Sequence, residues 1–226
     1  MVKAISSVDS SAETTFDPGC RRCARLAAYL DEVGGRHPGY HARPVAPFGA
    51  SRPRLLIVGL APGYHGANAT GRPFTGDYAG ILLYETLHGL GLSSAPESLH
   101  REDGLTLHGC RITNAVKCVP PANKPTTDEI RTCNGFLAAE IEACSAGAGL
   151  VILALGRIAH DAVLRARDER LSAWTFAHGA EHRLPGGITL VDSYHCSRYN
   201  TQTRRLTPDM FRAVTARAAA LAGMDR

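Results

Sequence analysis

At 226 residues with 44% hydrophobic content, the chain is long enough to bury a full core within one domain. A formal net charge of +4 is mildly basic, which fits a polyanionic partner without requiring one. No apolar run approaches the roughly 18 residues that span a bilayer, and no signal-peptide core opens the chain, so the expected compartment is the cytoplasm. There, seven cysteines, an odd number, are expected as metal ligands or buried apolar residues rather than as disulfides.

Residues 1–16 are polar and aperiodic and are expected as a disordered tail ahead of a single domain over 17–226. Asp17-Pro18 has the pattern of a helix start, a capping aspartate followed by a first-turn proline. Cys20, Cys23, Ala27, Leu30 and Val33 then repeat at helical spacing up to Gly34-Gly35. The C-x-x-C pair therefore falls in the first turn, where Arg21, Arg22 and Arg25 would favour thiolates. Redox, zinc and iron–sulfur roles all remain open for such a pair. Residues 36–53, rich in His, Pro and Gly, are expected as a solvated loop.

Leu55 to Val58 is a short, continuous, branched run, as expected for a strand buried on both faces of a parallel sheet. It feeds a Gly- and Pro-rich loop, Gly59 to Asp77, followed by a helical pattern that Gly89 and Gly91 close. A polar loop leaving the carboxyl end of a strand is where open α/β sheets hold ligands. Its glycines match neither G-x-G-x-x-G nor the phosphate loop ending in G-K-S/T, which speaks against nucleotide cofactors. It offers backbone amides around Gly63, an aromatic face at Phe74 and a carboxylate at Asp77, which is also placed to cap the next helix.

Ser93 to Gly109 is a polar connector to a second buried strand, Cys110 to Val116, in which Asn114 stands out as a strand-averse amide. Thr126-x-x-Glu129 is a capping box that opens a helix with Ile130, Cys133, Leu137, Ile141 and Cys144 on one face. Cys118 and Cys133 complete a candidate four-thiolate set with Cys20 and Cys23, and both zinc and a 4Fe–4S cluster accept four cysteines. Cys110, Cys144 and Cys196 are expected to bind no metal. Leu150 to Leu155 is a third strand, and Glu181 to Leu184, Pro185-Gly186-Gly187 and Ile188 to Val191 form a strand, a turn and a fourth core strand. That last run carries Asp192 to Asn200 to the same sheet edge as the central loop. Arg198, Arg204 and Arg205, with Tyr199 and neighbouring hydroxyls, form a loop suited to phosphate contact before Thr207-Pro208 opens a final helix. The expected fold is α/β: three α/β/α layers around a central, mainly parallel four-stranded sheet.

Three stretches carry a resemblance to a known family: G-L-A-P-G-Y-H-G-A-N-A-T-G-R-P-F-T-G-D at 59–77, I-T-N-A-V-K-C at 112–118 and S-Y-H-C-S-R-Y-N-T at 193–201. With the four cysteines, they resemble the type-B, or fifth, family of the uracil-DNA glycosylase superfamily, which carries an iron–sulfur cluster. The resemblance implies hydrolysis of the N-glycosidic bond of flipped-out uracil, and of other deaminated or damaged bases such as hypoxanthine and ethenocytosine, leaving an abasic site. It implies Asp77, Asn114 and His195 as catalytic residues, with Gly63, Tyr64 and Phe74 joining Asn114 and His195 around the base. Ser197, Arg198, Tyr199, Asn200, Arg204 and Arg205 would contact single- or double-stranded DNA, and Cys20, Cys23, Cys118 and Cys133 would hold a 4Fe–4S cluster. The enzyme would act as a monomer with no membrane partner.

Two departures matter. Leu60 and Ala61 leave no polar side chain before Pro62, so water activation would shift to Asp77. Cys196 follows the histidine where the resembled family usually has proline. No lysine is placed as a Schiff-base nucleophile, so lyase activity is not expected. The competing reading is a four-cysteine DNA-binding module without catalysis.

Overall fold

The four apolar runs become parallel strands of one sheet, and alternate residues of each enter different cores. A computed structural model describes residues 16–145 and 149–224. The strands are β1 (Phe48–Gly49), β2 (Leu55–Gly59), β3 (Cys110–Asn114), β4 (Val151–Leu155), β5 (Glu181–Leu184) and β6 (Ile188–Ser193), in the order β1-β3-β2-β4-β6-β5. The expected four-stranded count holds for the parallel centre, and β1 and β5 extend it to six as antiparallel edges. At two residues beside prolines, β1 is too short to leave a periodicity.

The helices are α1 (Ala24–Arg36), α2 (Ala67–Thr70), α3 (Tyr78–Gly89), α4 (Thr127–Ser145), α5 (Arg157–Ala166), α6 (Arg198–Gln202) and α7 (Pro208–Leu221). Leu55 and Ile57 pack beneath α3 and α7 through Leu83, Leu87, Phe211 and Ala218. Leu56 and Val58 pack on the other face beneath α4 and α5 through Leu137, Ile141, Ala159 and Val163. This is the expected three-layer arrangement. Because β3 and β4 lie on opposite sides of β2, the loop leaving Gly59 stands where the strand order reverses.

Helix ends follow the expected caps, with one correction. Thr126 N donates to Glu129 Oε2 at 2.7 Å and Glu129 N to Thr126 Oγ1 at 3.2 Å, the reciprocal pair of a capping box. Thr207 Oγ1 accepts from Met210 N at 3.2 Å at the start of α7. Asp17, however, spends its carboxylate on a local turn with Gly19 N at 2.8 Å. The first helix therefore begins at Ala24 and runs through the glycine pair to Arg36. Cys20 lies before the helix and Cys23 caps it, so the C-x-x-C pair is not in the first turn. Residues 1–15 lie outside the described residues, and with them nearly all of the expected tail. No helix among the described residues is long and apolar enough to cross a membrane.

Replacing Thr126 with Ala should cost about 1 kcal/mol, read as a lower urea midpoint at unchanged slope.

Candidate active site

The carboxyl ends of β2, β3 and β6 deliver three polar side chains, two of them beside one aromatic ring. Asn114 ends β3 directly beside Gly59, the last residue of β2. A methyl group on Gly59 would stand 2.5 Å from Asn114 Oδ1 and 2.6 Å from Phe74 Cζ. Only a bare α-carbon leaves room there for both the amide and the ring. Phe74 also stacks with His195, with centroids 5.9 Å apart at 27°. Asp77 comes from the same loop and lies against its opening residues, since a methyl on Gly66 would stand 2.6 Å from Asp77 Oδ2.

Phe74 holds this position through a strained backbone. Its φ is +55°, an outlier for a bulky side chain, so neighbouring contacts must over-determine it. Arg72, buried, donates to Asp103 Oδ1 at 2.7 Å, to Ser98 Oγ at 2.9 Å and to the Arg101 carbonyl at 2.6 Å. Tyr84 donates its hydroxyl to the Pro73 carbonyl at 3.0 Å, and Thr75 Oγ1 lies 2.7 Å from Ser98 Oγ. The connector 93–109 is thus a clamp on the loop rather than a mere linker. No sequence pattern marked the Arg72–Asp103 pair, which is separated by 31 positions.

The electrostatics divide the three polar groups. Asp77 Oδ1 accepts from Gly80 N at 2.9 Å as the cap of α3. Burial raises its pKa above the ordinary carboxylate value, against the pull of the Gly80 and Ala79 amides. Burial alone pushes the His195 imidazole down to about 4, so the ring is neutral near pH 7. Asn114 Oδ1 and His195 Nδ1 are both buried and have no hydrogen-bond partner among the described residues. Unpaired buried polar atoms are costly, and two of them beside one exposed-edge loop mark a place built for a polar ligand.

Other expected site residues divide. Gly63 lies beside Asp77: a methyl on its α-carbon would stand 3.2 Å from Asp77 Oδ2, a tight contact. Tyr64 does not turn its ring to Phe74; it packs against Tyr29, His37, Tyr40 and His65. Ser197 caps α6, with its Oγ accepting from Asn200 N. The Asn200 amide donates to the His195 carbonyl at 2.8 Å, so it braces the histidine turn instead of facing outward. Arg198, Tyr199, Arg204 and Arg205 are exposed on one rim, with Tyr199 71% accessible and Arg205 lying 4.6 Å over the Tyr194 ring. The short helix α6 was not anticipated, although Ser197 three residues before Asn200 is a capping pattern that could have marked it.

Cys20, Cys23, Cys118 and Cys133 line one hollow together with Leu26, Pro44 and Phe136. No three of these sulfurs lie within 4.8 Å of one another. Burial first, then the neighbouring thiols, pushes Cys118 up to about 12, and burial also raises Cys23 and Cys133. The expected lowering by an arginine, Arg22 acting on Cys23, is outweighed by burial. Arg21 pairs with Asp31 and Arg25 with Glu129, which leaves Arg22 Nε, 3.5 Å from Cys20 Sγ. Lys117 N donates to Cys133 Sγ at 3.3 Å. Cys110 and Cys196 are buried elsewhere, and Cys144 is half-buried on α4.

Comparison with known proteins gives the family. The profile of the uracil DNA glycosylase superfamily matches residues 46–219, which takes in every strand and all of the site but the two N-terminal cysteines. This chain belongs to that superfamily. The type-5 uracil-DNA glycosylase of Thermus thermophilus is 51% identical over 210 residues, covering 91% of this chain and 94% of that protein. That of Mycobacterium tuberculosis is 42% identical over 214 residues, covering 91% and 79%. The type-4 uracil-DNA glycosylase of Thermotoga maritima is 40% identical over 145 residues, covering 64% and 65%. The family's type-5 branch is therefore the one this chain joins.

Asp103 tests the clamp. Burial opposes its charge, but donors from Leu105, Arg72, Leu99 and His100 together hold its carboxyl down at about 2, against an ordinary 3.8. A depressed pKa stabilises the fold above the unfolded value, and this contribution is lost as pH falls through the folded one. Asp103→Asn should therefore melt at lower temperature at pH 6, and its deficit should shrink between about pH 4 and pH 2.

Proposed function

We propose that this chain is a monofunctional uracil-DNA glycosylase that hydrolyses the N-glycosidic bond of an everted nucleotide and leaves an abasic site. The observation that carries this reading is the pair of buried polar atoms, Asn114 Oδ1 and His195 Nδ1, unpartnered among the described residues, on side chains that lie beside Phe74. A base cannot be attacked within the helical stack, so the nucleotide swings out at a cost of a few kcal/mol. Arg198, Tyr199, Arg204 and Arg205 hold the distorted backbone, mostly through phosphate contacts.

In the pocket the base stacks on Phe74. The Asn114 side chain accepts from uracil N3–H and donates to O4, a pairing that an amide can make and a carboxylate cannot. As the C1′–N1 bond breaks, its electron pair spreads onto N1 and O2. His195, neutral because it is buried, donates an N–H toward O2 without surrendering a full proton. Asp77 remains on the sugar side. Its carboxylate orients the attacking water, whose oxygen bonds to C1′, and offsets the positive charge that grows on the ring. The water proton leaves through Asp77, and the uracil anion is released or protonated by solvent.

Among the described residues, lysine chemistry has no support at this site. Lys117 is buried with its Nζ 2.7 Å from Glu140 and 2.5 Å from Thr113, and Lys124 is exposed on the loop before α4. Cleavage therefore stops at the abasic sugar. A pocket read by one amide and one imidazole also admits hypoxanthine, whose N1–H and O6 match uracil N3–H and O4, and ethenocytosine, which keeps the O2 that faces His195.

The four-cysteine hollow suits a 4Fe–4S cluster. Thiols held protonated by burial need a positive core to release their protons, and amide and guanidinium donors already point at two of the sulfurs. A single tetrahedral zinc, with bonds of about 2.3 Å, would need all four sulfurs within about 4 Å of one another, whereas no three of them lie within 4.8 Å here. Cys20, Cys23, Cys118 and Cys133 would hold the cluster, whose contribution is to fasten the segment before α1 to the loop after β3 and to α4.

Two measurements test the reading. Oligonucleotides carrying one uracil, hypoxanthine or ethenocytosine, incubated with the protein and then treated with alkali, should break at the modified position. Asp77→Asn should lose at least about 100-fold in single-turnover rate while its melting temperature hardly changes, because asparagine caps a helix as well as aspartate. Unbroken strands, or full activity of Asp77→Asn, would refute the mechanism. The raised Asp77 pKa also places the acid limb of the rate profile above the ordinary carboxylate range, since the ionised form is needed and is lost on acidification. Cys118→Ala should be colourless, poorly soluble and free of iron and sulfide.

A further inference from the structure

We infer that a buried chain of three side chains, His160–Asp192–His182, is a positioning device that sets the place of the His195 imidazole. Asp192 lies on β6 three residues before His195, with its side chain fully buried. Its Oδ1 accepts from His160 Nδ1 at 2.8 Å, and its Oδ2 lies 3.0 Å from His182 Nε2. His160 is fastened at its other nitrogen too, 3.2 Å from the Trp174 carbonyl. One carboxylate thus ties the helix α5 to the antiparallel hairpin of β5 and β6.

The same three elements surround the turn that carries His195. His160 N donates to the Gly156 carbonyl at 3.1 Å, and Gly156 N donates to the Ser193 carbonyl at 2.8 Å. Gly156 in turn faces His195, for a methyl on it would stand 3.4 Å from His195 Cβ. From the β5 side, Asp192 N donates to the Ala180 carbonyl at 2.9 Å and its own carbonyl accepts from Gly179 N at 2.8 Å. Tyr194 N donates to His178 Nδ1 at 3.2 Å, and the two rings stack with centroids 5.1 Å apart.

His195 has no polar anchor at its buried ring nitrogen, so its orientation comes from Phe74 and from the backbone on which it sits. A buried carboxylate between a helix and a sheet that otherwise pack through apolar side chains is expensive, and well-packed hydrophobic residues would give equal or greater stability. What the network supplies instead is one geometry, because hydrogen bonds have directions and apolar contacts do not. A displacement of about 1 Å at a group aimed at O2 is enough to cost up to about 100-fold in rate.

The inference rests on His195 acting on the base, so His195→Ala is run alongside. His182 is 12% exposed and tolerates substitution better than its two partners. His182→Ala should slow single-turnover uracil excision about ten-fold or more while affinity for uracil-containing duplex stays unchanged. His182→Gln, whose amide can still donate to Asp192 Oδ2, should recover most of that rate. In NMR spectra of imidazole-labelled protein, the His195 ring resonances should move in the Ala variant and return in the Gln variant. A purely structural role would move melting temperature without this split. Wild-type rate in His182→Ala, failure of Gln to restore it, or unmoved His195 resonances would each overturn the proposal. Should His195→Ala itself keep full activity, the catalytic reading of His195 falls and this inference with it; if it is inactive while His182→Ala is not, only the positioning role falls.

Discussion

The site depends on holding Phe74 in a left-handed backbone conformation. That conformation costs on the order of 1–3 kcal/mol for a non-glycine residue, and it persists because Arg72, Thr75 and Pro73 on either side are each tied to the 93–109 segment or to α3. With the ring so placed, Gly59 below and His195 beside it become the walls of one pocket. Released from it, the ring would leave Asn114 and His195 facing an unshaped opening. The strain is therefore part of the site's construction, since the hydrogen bonds that sustain it lie outside the pocket and stay satisfied whether or not a base is present.

Inside the pocket the balance is reversed. Asn114 and His195 each carry a buried polar atom without a partner, and burial works against the charges of both Asp77 and His195. Each of these is a stability cost that a hydrophobic replacement would remove. Sites that forgo such stability are the places where local rules of folding are expected to be broken for function. Polar groups fixed in a poorly solvated pocket need no reorganisation when charge develops, which is the condition for strong electrostatic stabilisation.

The cysteine hollow and the pocket share a stretch of chain. Thr113 and Asn114 end β3, and Lys117 and Cys118 follow within four residues. Lys117 ties back to Thr113 and across to Glu140 on α4, the helix that carries Cys133. The backbone that presents Asn114 is therefore anchored by the same helix that closes the hollow. Fastening that corner also fastens the amide.

Local chemistry was legible in the amino-acid order. The apolar runs of β2, β3, β4 and β6, the Thr126–Glu129 box, the Asp77 and Thr207 caps and the polar loop after β2 all follow from contacts within a few residues. Periodicity and capping report such contacts directly. The four cysteines, Asp77, Asn114 and His195 were also singled out, because their residue types are rare in strands and at loop ends or are specific to metal and proton chemistry. Long-range pairing was not legible. The Arg72–Asp103 clamp, the Asn200 bond to His195, the aromatic packing that turns Tyr64 away and the partners that draw Arg21 and Arg25 off the thiols all depend on which segments come together. So does the start of α1, where Asp17 could cap a helix or a turn and the cysteine hollow decided. Sequence alone determined which groups could do chemistry; only the folded chain decided which of them meet, because a side chain's partner is set by distance in space, and separations of 30 to 100 positions leave no local trace.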